Sequence, residues 1–173
     1  MTLNVGKDDH VRGSSSAPVT VLVYGDYECP YTRALELAIA QLRDDGANSF
    51  RYVFRYFPLR EIHPHAQMAA EAAETVSALA GPEAFWRMHD ALFADQYHLE
   101  APDLEHRATA TGVNMRSYLT AMAKHQSAER VERDVQSGIA NGVEGTPSVF
   151  INGERYRGKR DEGSLREAIK SYA

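Results

Sequence analysis

The chain has 173 residues and a formal net charge of −5, with 43% hydrophobic and 25% charged residues. This length predicts one domain, and the composition excludes a disordered or fibrous protein. The acidic balance gives no electrostatic footprint for nucleic acid or for an anionic membrane, so we expect neither as a partner. No apolar run approaches the ~18 residues that span a bilayer, and the N-terminus has no hydrophobic signal stretch, which predicts a cytoplasmic location.

The single cysteine, Cys29, excludes an intramolecular disulfide. It follows residues 19–24, a β-branched apolar run that is typical of a strand buried on both faces. A helical pattern comes next, with Leu35, Ile39 and Leu42 on one face. Cys29 therefore opens a helix, where unpaired N–H groups and the helix dipole favour the thiolate over the thiol. An inert buried cysteine is the alternative on these local features.

Residues 50–57 predict a second strand, and residues 63–141 are helical throughout, with Asn114 suited to cap one of the helices. Strand patterns return at residues 148–151 and 154–156, joined by Asn152-Gly153, a type I′ hairpin signal. The order is thus β-α-β, a helical block, then β-β-α, which predicts one sheet interrupted by a helical insertion.

Both ends of the chain carry weaker signals. The first sixteen residues are polar and end in a serine run, which predicts a loosely held arm. Ser164 and Glu167 have capping-box spacing at the start of the last helix. The basic run at residues 155–160 is predicted to be a solvated hairpin edge, and Phe85, Trp86 and Met88 are predicted to be core of the insertion rather than a cofactor site.

Five segments, in order, resemble the DsbA-like branch of the thioredoxin superfamily. The most specific is DYECPY at residues 26–31, directly after the first strand. The others are DHVRG (9–13) with APVT (17–20), FRYFPL (54–59), FWRMH (85–89) and GVEGTPSVFING (142–153). The resemblance extends from about residue 9 to the C-terminus and places the helical insertion where the family has one.

The resemblance implies an α/β protein with a thioredoxin fold, β-α-β … β-β-α, and an all-helical insertion between the two halves. The divisions would be an N-terminal arm over 1–16, a thioredoxin-like domain over 17–62 and 142–173, and the insertion over 63–141. Cys29 would be the surface-exposed attacking cysteine and Pro147 the cis-proline facing it. The backbone of Thr146 would pair with an extended peptide. The substrate would also contact Pro30 and Tyr31.

Position 32 departs from the family, because Thr32 replaces the second cysteine of a C-x-x-C motif. Without a partner thiol the chain cannot donate a disulfide by the usual route. A hydroxyl at this position can still donate a hydrogen bond to the Cys29 thiolate. We therefore expect a monothiol thiol–disulfide oxidoreductase. Its Cys29 attacks a disulfide or an oxidised thiol, on a protein or a smaller molecule, and an external thiol, glutathione or a protein, resolves the mixed disulfide.

Two other functions stay open from the sequence. One is a glutathione-dependent transferase or isomerase of the same fold, in which the residue at position 29 holds the glutathione thiolate. The other is a non-catalytic peptide-binding module. Glutathione is thus expected as a co-substrate at most, with no tightly bound cofactor.

Asp26 and Glu28 flank the nucleophile. They are candidates for a proton relay, with solvated surface acids as the alternative. His63-Pro64-His65 lacks the ligand spacing of a structural zinc site, so no metal is expected.

Overall fold

The computed structural model describes residues 3–46 and 49–173. Within them, five strands form one mixed sheet in the order β1-β3-β2-β4-β5. The strands are β1 (His10–Arg12), β2 (Val19–Gly25), β3 (Phe50–Tyr56), β4 (Ser148–Ile151) and β5 (Glu154–Tyr156). β2 and β3 are parallel and are joined by helix α1 (Pro30–Asp45), whereas the other neighbouring pairs are antiparallel. With helix α7 (Glu162–Tyr172) after β5, the predicted thioredoxin fold is confirmed.

β2 occupies the centre of the sheet, where it is buried on both faces as its apolar run predicts. Its last residue, Gly25, has little room around it. A Cβ there would lie 2.5 Å from the Phe54 ring and 2.8 Å from the Thr32 methyl group. A glycine is therefore required where β2 passes into the turn before α1.

Five helices lie between β3 and β4, as the helical pattern predicts. They are α2 (Ala66–Ala80), α3 (Pro82–Ala94), α4 (Ala101–Ala110), α5 (Met115–Ala123) and α6 (Ala128–Ala140). Asn114 caps α5 by accepting a hydrogen bond from the N–H of Ser117. Phe85, Trp86 and Met88 are buried as predicted, in one hydrophobic cluster with residues of β2 and α1. The helices thus pack directly on the sheet, and the exact domain division stays a prediction.

The N-terminal segment is not the loosely held arm that its polar composition predicts. β1 pairs with β3, with His10 opposite Phe54. The His10 ring stacks on Phe85 with 3.6 Å between ring centroids, and Asp9 forms a nearly buried ion pair with Arg55 at 2.7 Å. Distant residues bind the side chains of Asp9, His10 and Arg12, so the segment is held against the sheet.

The start of α7 also differs from the prediction. Asp161 is the N-cap and accepts from the N–H of Ser164, so Ser164 and Glu167 do not form the predicted capping box. The Asn152-Gly153 hairpin is confirmed, since both residues have the positive φ that a type I′ turn requires. Much of the basic run beyond it is exposed, as predicted. No helix in the described part of the chain is long and apolar enough to cross a membrane.

Candidate functional site

Cys29 is the N-cap residue of α1, in an extended backbone conformation. Its N–H donates to the carbonyl of Asp26 at 3.1 Å, which closes the turn between β2 and the helix. Its thiol donates to the carbonyl oxygen of Thr146, with 3.6 Å between sulfur and oxygen. The Thr146–Pro147 peptide bond is cis, as the resemblance implies. The fold therefore brings Cys29 against a loop that lies 117 residues later in the chain.

Cys29 is not the surface-exposed cysteine that the resemblance implies, because only 2% of the residue is accessible. The Thr146 carbonyl lies against the sulfur, and the rest of the residue is enclosed in the turn. Pro30 and Tyr31, on the first turn of α1, are exposed instead, Tyr31 to 75%.

Thr32 is fully buried, and its hydroxyl oxygen accepts a 3.4 Å hydrogen bond from the N–H of Asp26. No hydrogen bond joins Thr32 to Cys29, both of which the structure describes. The predicted donation to the sulfur is thus missing, because the side chain faces Gly25 and the backbone of the preceding turn. Thr32 fills the space beneath the turn.

Asp26 is not a solvated surface acid, since its side chain is fully buried. One oxygen accepts from the N–H of Glu28 at 2.7 Å, and the other accepts from the N–H of Leu59 at 2.8 Å. The second oxygen also lies 2.8 Å from Nδ1 of His63. Asp26 therefore ties the turn before α1 to the loop after β3.

Glu28 makes the matching contact with the second histidine of the same loop. Its carboxylate accepts from the N–H of His65 at 2.7 Å and lies 3.0 Å from Nδ1 of that residue. The two histidines of the His63-Pro64-His65 segment thus each contact one of the two acids that flank Tyr27. This arrangement was not predicted, because the partners are 37 residues apart in the chain.

Tyr27 begins a buried polar chain behind the turn. Its hydroxyl lies 3.0 Å from Nδ1 of His89, whose Nε2 lies 3.2 Å from the Glu36 carboxylate. Burial, and then the charge of Glu36, raise the pKa of Tyr27 well above its ordinary value. The phenol therefore stays neutral, and its contact with His89 joins the turn to α3.

Gln96 was missed by sequence reasoning, although it contacts the turn directly. Its side-chain amide donates to the carbonyl of Tyr27 at 2.8 Å and to that of Cys29 at 2.9 Å. Arg107 of α4 holds the same loop by donating to the carbonyls of Asp95 and His98. A polar loop residue that binds backbone carbonyls leaves no motif in the sequence, so no signal could have found it.

The hydroxyl of Thr146 is buried and has no hydrogen-bond partner within the described residues. An unsatisfied buried hydroxyl costs about 1–3 kcal/mol. The carbonyl of the same residue contacts the Cys29 thiol.

Solved structures of DsbA-like proteins share the fold of this chain. Oxidised BdbD from Bacillus subtilis has a TM-score of 0.85 and 24% sequence identity, over 95% of this chain and 92% of that chain. Alpha-DsbA2 from Wolbachia pipientis, described as a thiol-disulfide exchange protein, has a TM-score of 0.81 and 20% identity, over 96% of this chain and 88% of that one. At these identities the likeness shows the fold.

A third structure contradicts the cytoplasmic location expected from the sequence. It is described as a periplasmic thioredoxin-like protein from Salmonella enterica serovar Typhimurium. It has a TM-score of 0.76 and 18% identity, over 95% of this chain and 89% of that one. The expectation was wrong because it relied only on two absences, of a bilayer-spanning run and of a signal stretch.

A curated relative matches more closely in sequence. The Na⁺/H⁺ antiporter NhaA 3 of Salinispora tropica is 43% identical to this chain. The matched segment covers 94% of this chain and 24% of the antiporter. The chain thus spans about a quarter of the length of the curated relatives it matches. Its likeness is to one part of those proteins.

A family model described as Thioredoxin matches residues 6–171. The matched range includes all five strands, the Cys29 turn and the Thr146–Pro147 loop. The chain therefore belongs to the thioredoxin family.

Proposed function

We propose that this chain is a DsbA-like monothiol thiol–disulfide oxidoreductase with Cys29 as its nucleophile. The observation that carries the proposal is the position of the sole cysteine at the N-cap of α1, 3.6 Å from the Thr146 carbonyl. α1 has no side-chain cap. The N–H groups of Tyr31 and Thr32 therefore remain available to stabilise negative charge on the sulfur.

The proposed reaction has two exchange steps. The Cys29 thiolate attacks one sulfur of a disulfide, a bond forms between the two sulfurs, and the other substrate sulfur leaves as a thiolate with the electron pair. A second thiolate, from a small thiol such as glutathione or from a protein, then attacks the mixed disulfide. Cys29 leaves as a thiolate, and the two external groups end in a new disulfide. The second thiol must be external because the chain has one cysteine.

The contacts of Thr146 support an extended peptide as the substrate. While Cys29 is a thiol, its S–H occupies the Thr146 carbonyl. Loss of the proton frees that carbonyl to accept an N–H from a peptide, and the unpartnered Thr146 hydroxyl can donate to the same substrate. Pro147, Pro30 and Tyr31 would then form the surface around the reacting sulfurs.

In this reaction Asp26 and Glu28 act as the acids of a proton relay. Each is paired with a histidine, so a proton taken up at either acid can be shared with His63 or His65. The Asp26 hydrogen bonds also support a positioning role, since they fix the turn that ends at Cys29.

The proposal is tested by incubating the reduced protein with oxidised glutathione as the probe and measuring its intact mass. We expect one glutathione adduct per chain, its removal by added thiol, and no adduct in Cys29→Ser. The disulfide of a disulfide-bonded peptide should then undergo thiol–disulfide exchange faster with the wild-type chain than with Cys29→Ser. Reversible glutathione binding without an adduct would favour the transferase or isomerase, and neither adduct nor binding would favour the peptide-binding module.

A further inference from the structure

A cavity of about 210 Å³ opens between α1 and α3. Much of its lining is apolar, with Leu37 and Ala40 on α1 facing Phe93 and Ala94 on α3. Leu37 is 58% exposed and adds apolar surface to the cavity. An apolar cavity of about 150 Å³ can hold benzene, so a space of this size suits a small organic molecule.

Most charged groups of the cavity already have partners. Arg12 binds both carboxylate oxygens of Asp90, at 3.0 and 2.6 Å. Glu36 accepts from the Tyr52 hydroxyl and lies 3.2 Å from Nε2 of His89. Arg12, Asp90 and Glu36 therefore need no ion-pair partner from outside the protein.

Arg43 and Arg33 are the remaining cations of this cavity. Arg33 uses its Nε to bind the carbonyl of Phe93 at 2.9 Å. Arg43 is half-buried and makes no ion pair or side-chain hydrogen bond with any residue that the structure describes. Burial, and then the nearby Arg12, lower its pKa, while the charges of Asp90 and Asp44 act in the opposite direction. Its position in the last turn of α1 suits the helix dipole, but the dipole does not explain the apolar cavity beside it.

We infer that the α1–α3 cavity is a binding site for a small organic carboxylate with an apolar body. The carboxylate pairs with the guanidinium of Arg43, whose planar donors match its two oxygens. The apolar body lies between Leu37 and Phe93 and covers Leu37, which is the exposed one of the two. The site is independent of the exchange reaction proposed for Cys29.

Benzoate is a suitable probe, with benzyl alcohol as its uncharged control. Amide chemical shifts of the full chain are followed by NMR during titration with each compound. We expect saturable shifts with benzoate, centred on Leu37, Ala40, Phe93 and Ala94, and weaker binding of benzyl alcohol. No saturation with benzoate, or equal affinity for the two compounds, overturns the inference.

Two variants locate the site. Removing one charge-assisted contact weakens binding by about tenfold or more, which is the result expected for Arg43→Gln. The matched control is Arg116→Gln, which removes an exposed arginine on α5 and should leave the affinity unchanged. Ala40→Phe keeps every charge and fills the cavity, so it should abolish binding. Wild-type affinity in either Arg43→Gln or Ala40→Phe overturns the inference, and Ala40→Phe decides if Arg43→Gln does not fold.

Discussion

His63 Nδ1 lies 2.8 Å from a carboxylate oxygen of Asp26, whose side chain is completely buried. The same carboxylate accepts two backbone N–H groups, one from each side of the contact between the Cys29 turn and the loop after β3. Asp26 therefore joins two segments that the sheet alone leaves separate. The shape of the Cys29 turn depends on this acid even before any role in proton transfer is considered.

Asp26→Asn should lower the free energy of unfolding by about 2 kcal/mol. The amide keeps one acceptor but loses the charge that binds His63 and presents an N–H₂ group to a backbone donor. Urea unfolding measures the change. Asp44→Asn, at an exposed position near the end of α1, is the matched control and should stay within about 0.5 kcal/mol of wild type. Equal stability of the two variants would contradict the conclusion that Asp26 joins the Cys29 turn to the loop after β3.

Gln96→Ala should lower the free energy of unfolding by about 1–2 kcal/mol, because two hydrogen bonds to the turn are lost. Gln96→Glu should cost more, since a carboxylate would face two carbonyl oxygens. Urea unfolding of the three proteins gives the order. A Gln96→Glu variant as stable as wild type would show that the amide does not hold the turn.

Local patterns in the sequence predicted the elements that are determined locally. The apolar run of β2, the Asn114 cap and the Asn152-Gly153 turn all act over a few residues. β1 was missed because three residues show no clear period. Its polar side chains find partners far away, with Glu74 binding His10 from 64 residues along the chain.

The site was predictable only where a motif marks it. The resemblance placed Cys29 beside the Thr146–Pro147 loop, and the structure has that contact. The pairing of Asp26 with His63 and the amide of Gln96 were not predictable, because each depends on how a distant loop folds against the turn. Burial of Cys29 follows from the same long-range contacts and could not be inferred from its neighbours in sequence.

Thr146→Val should stabilise the protein and slow its exchange reaction. Valine has nearly the shape of threonine and removes the buried hydroxyl that lacks a partner, so unfolding should cost about 1 kcal/mol more. If the hydroxyl binds the incoming substrate, mixed-disulfide formation should slow several-fold. Urea unfolding and the rate of adduct formation measure the two effects. Unchanged adduct kinetics would remove the hydroxyl from the proposed mechanism, whatever happens to stability.

The loop that carries Gln96 should respond to pH through His98 and Asp95. Their hydrogen bond, 2.7 Å long, raises the pKa of His98 above its usual 6.5 and lowers the pKa of Asp95. The contribution of His98 to folding is therefore present at low pH and is lost as the pH rises through its raised pKa. That of Asp95 is present at neutral pH and is lost as the pH falls through its lowered pKa.

NMR titration of the His98 ring tests this assignment. The midpoint should lie above 6.5 in the wild-type chain and fall towards 6.5 in Asp95→Asn. Asp44→Asn, far from the loop in sequence, should leave the midpoint unchanged. A His98 midpoint that Asp95→Asn does not move would mean that the ion pair is absent in solution.

Thr32→Cys should restore a dithiol centre. Positions 29 and 32 span the first turn of α1, where side chains three apart are neighbours, so their Cα atoms should lie within the ~4.4–6.8 Å that a disulfide tolerates. Cysteine is smaller than threonine, so it fits the buried space beneath the turn. Its sulfur must rotate away from Gly25 and the Asp26 N–H to reach Cys29.

Under mild oxidant this variant should form an internal disulfide and should catalyse disulfide formation in a reduced, unfolded protein. Intact mass after alkylation measures the disulfide. The matched control, Cys29→Ser combined with Thr32→Cys, should form none, because it has a single thiol. The parent chain should form only mixed disulfides or a dimer through Cys29. If Thr32→Cys folds normally but forms no internal disulfide, Cys29 does not face position 32 as a DsbA-like turn requires, and the peptide-binding function becomes the better account of the Thr146–Pro147 loop.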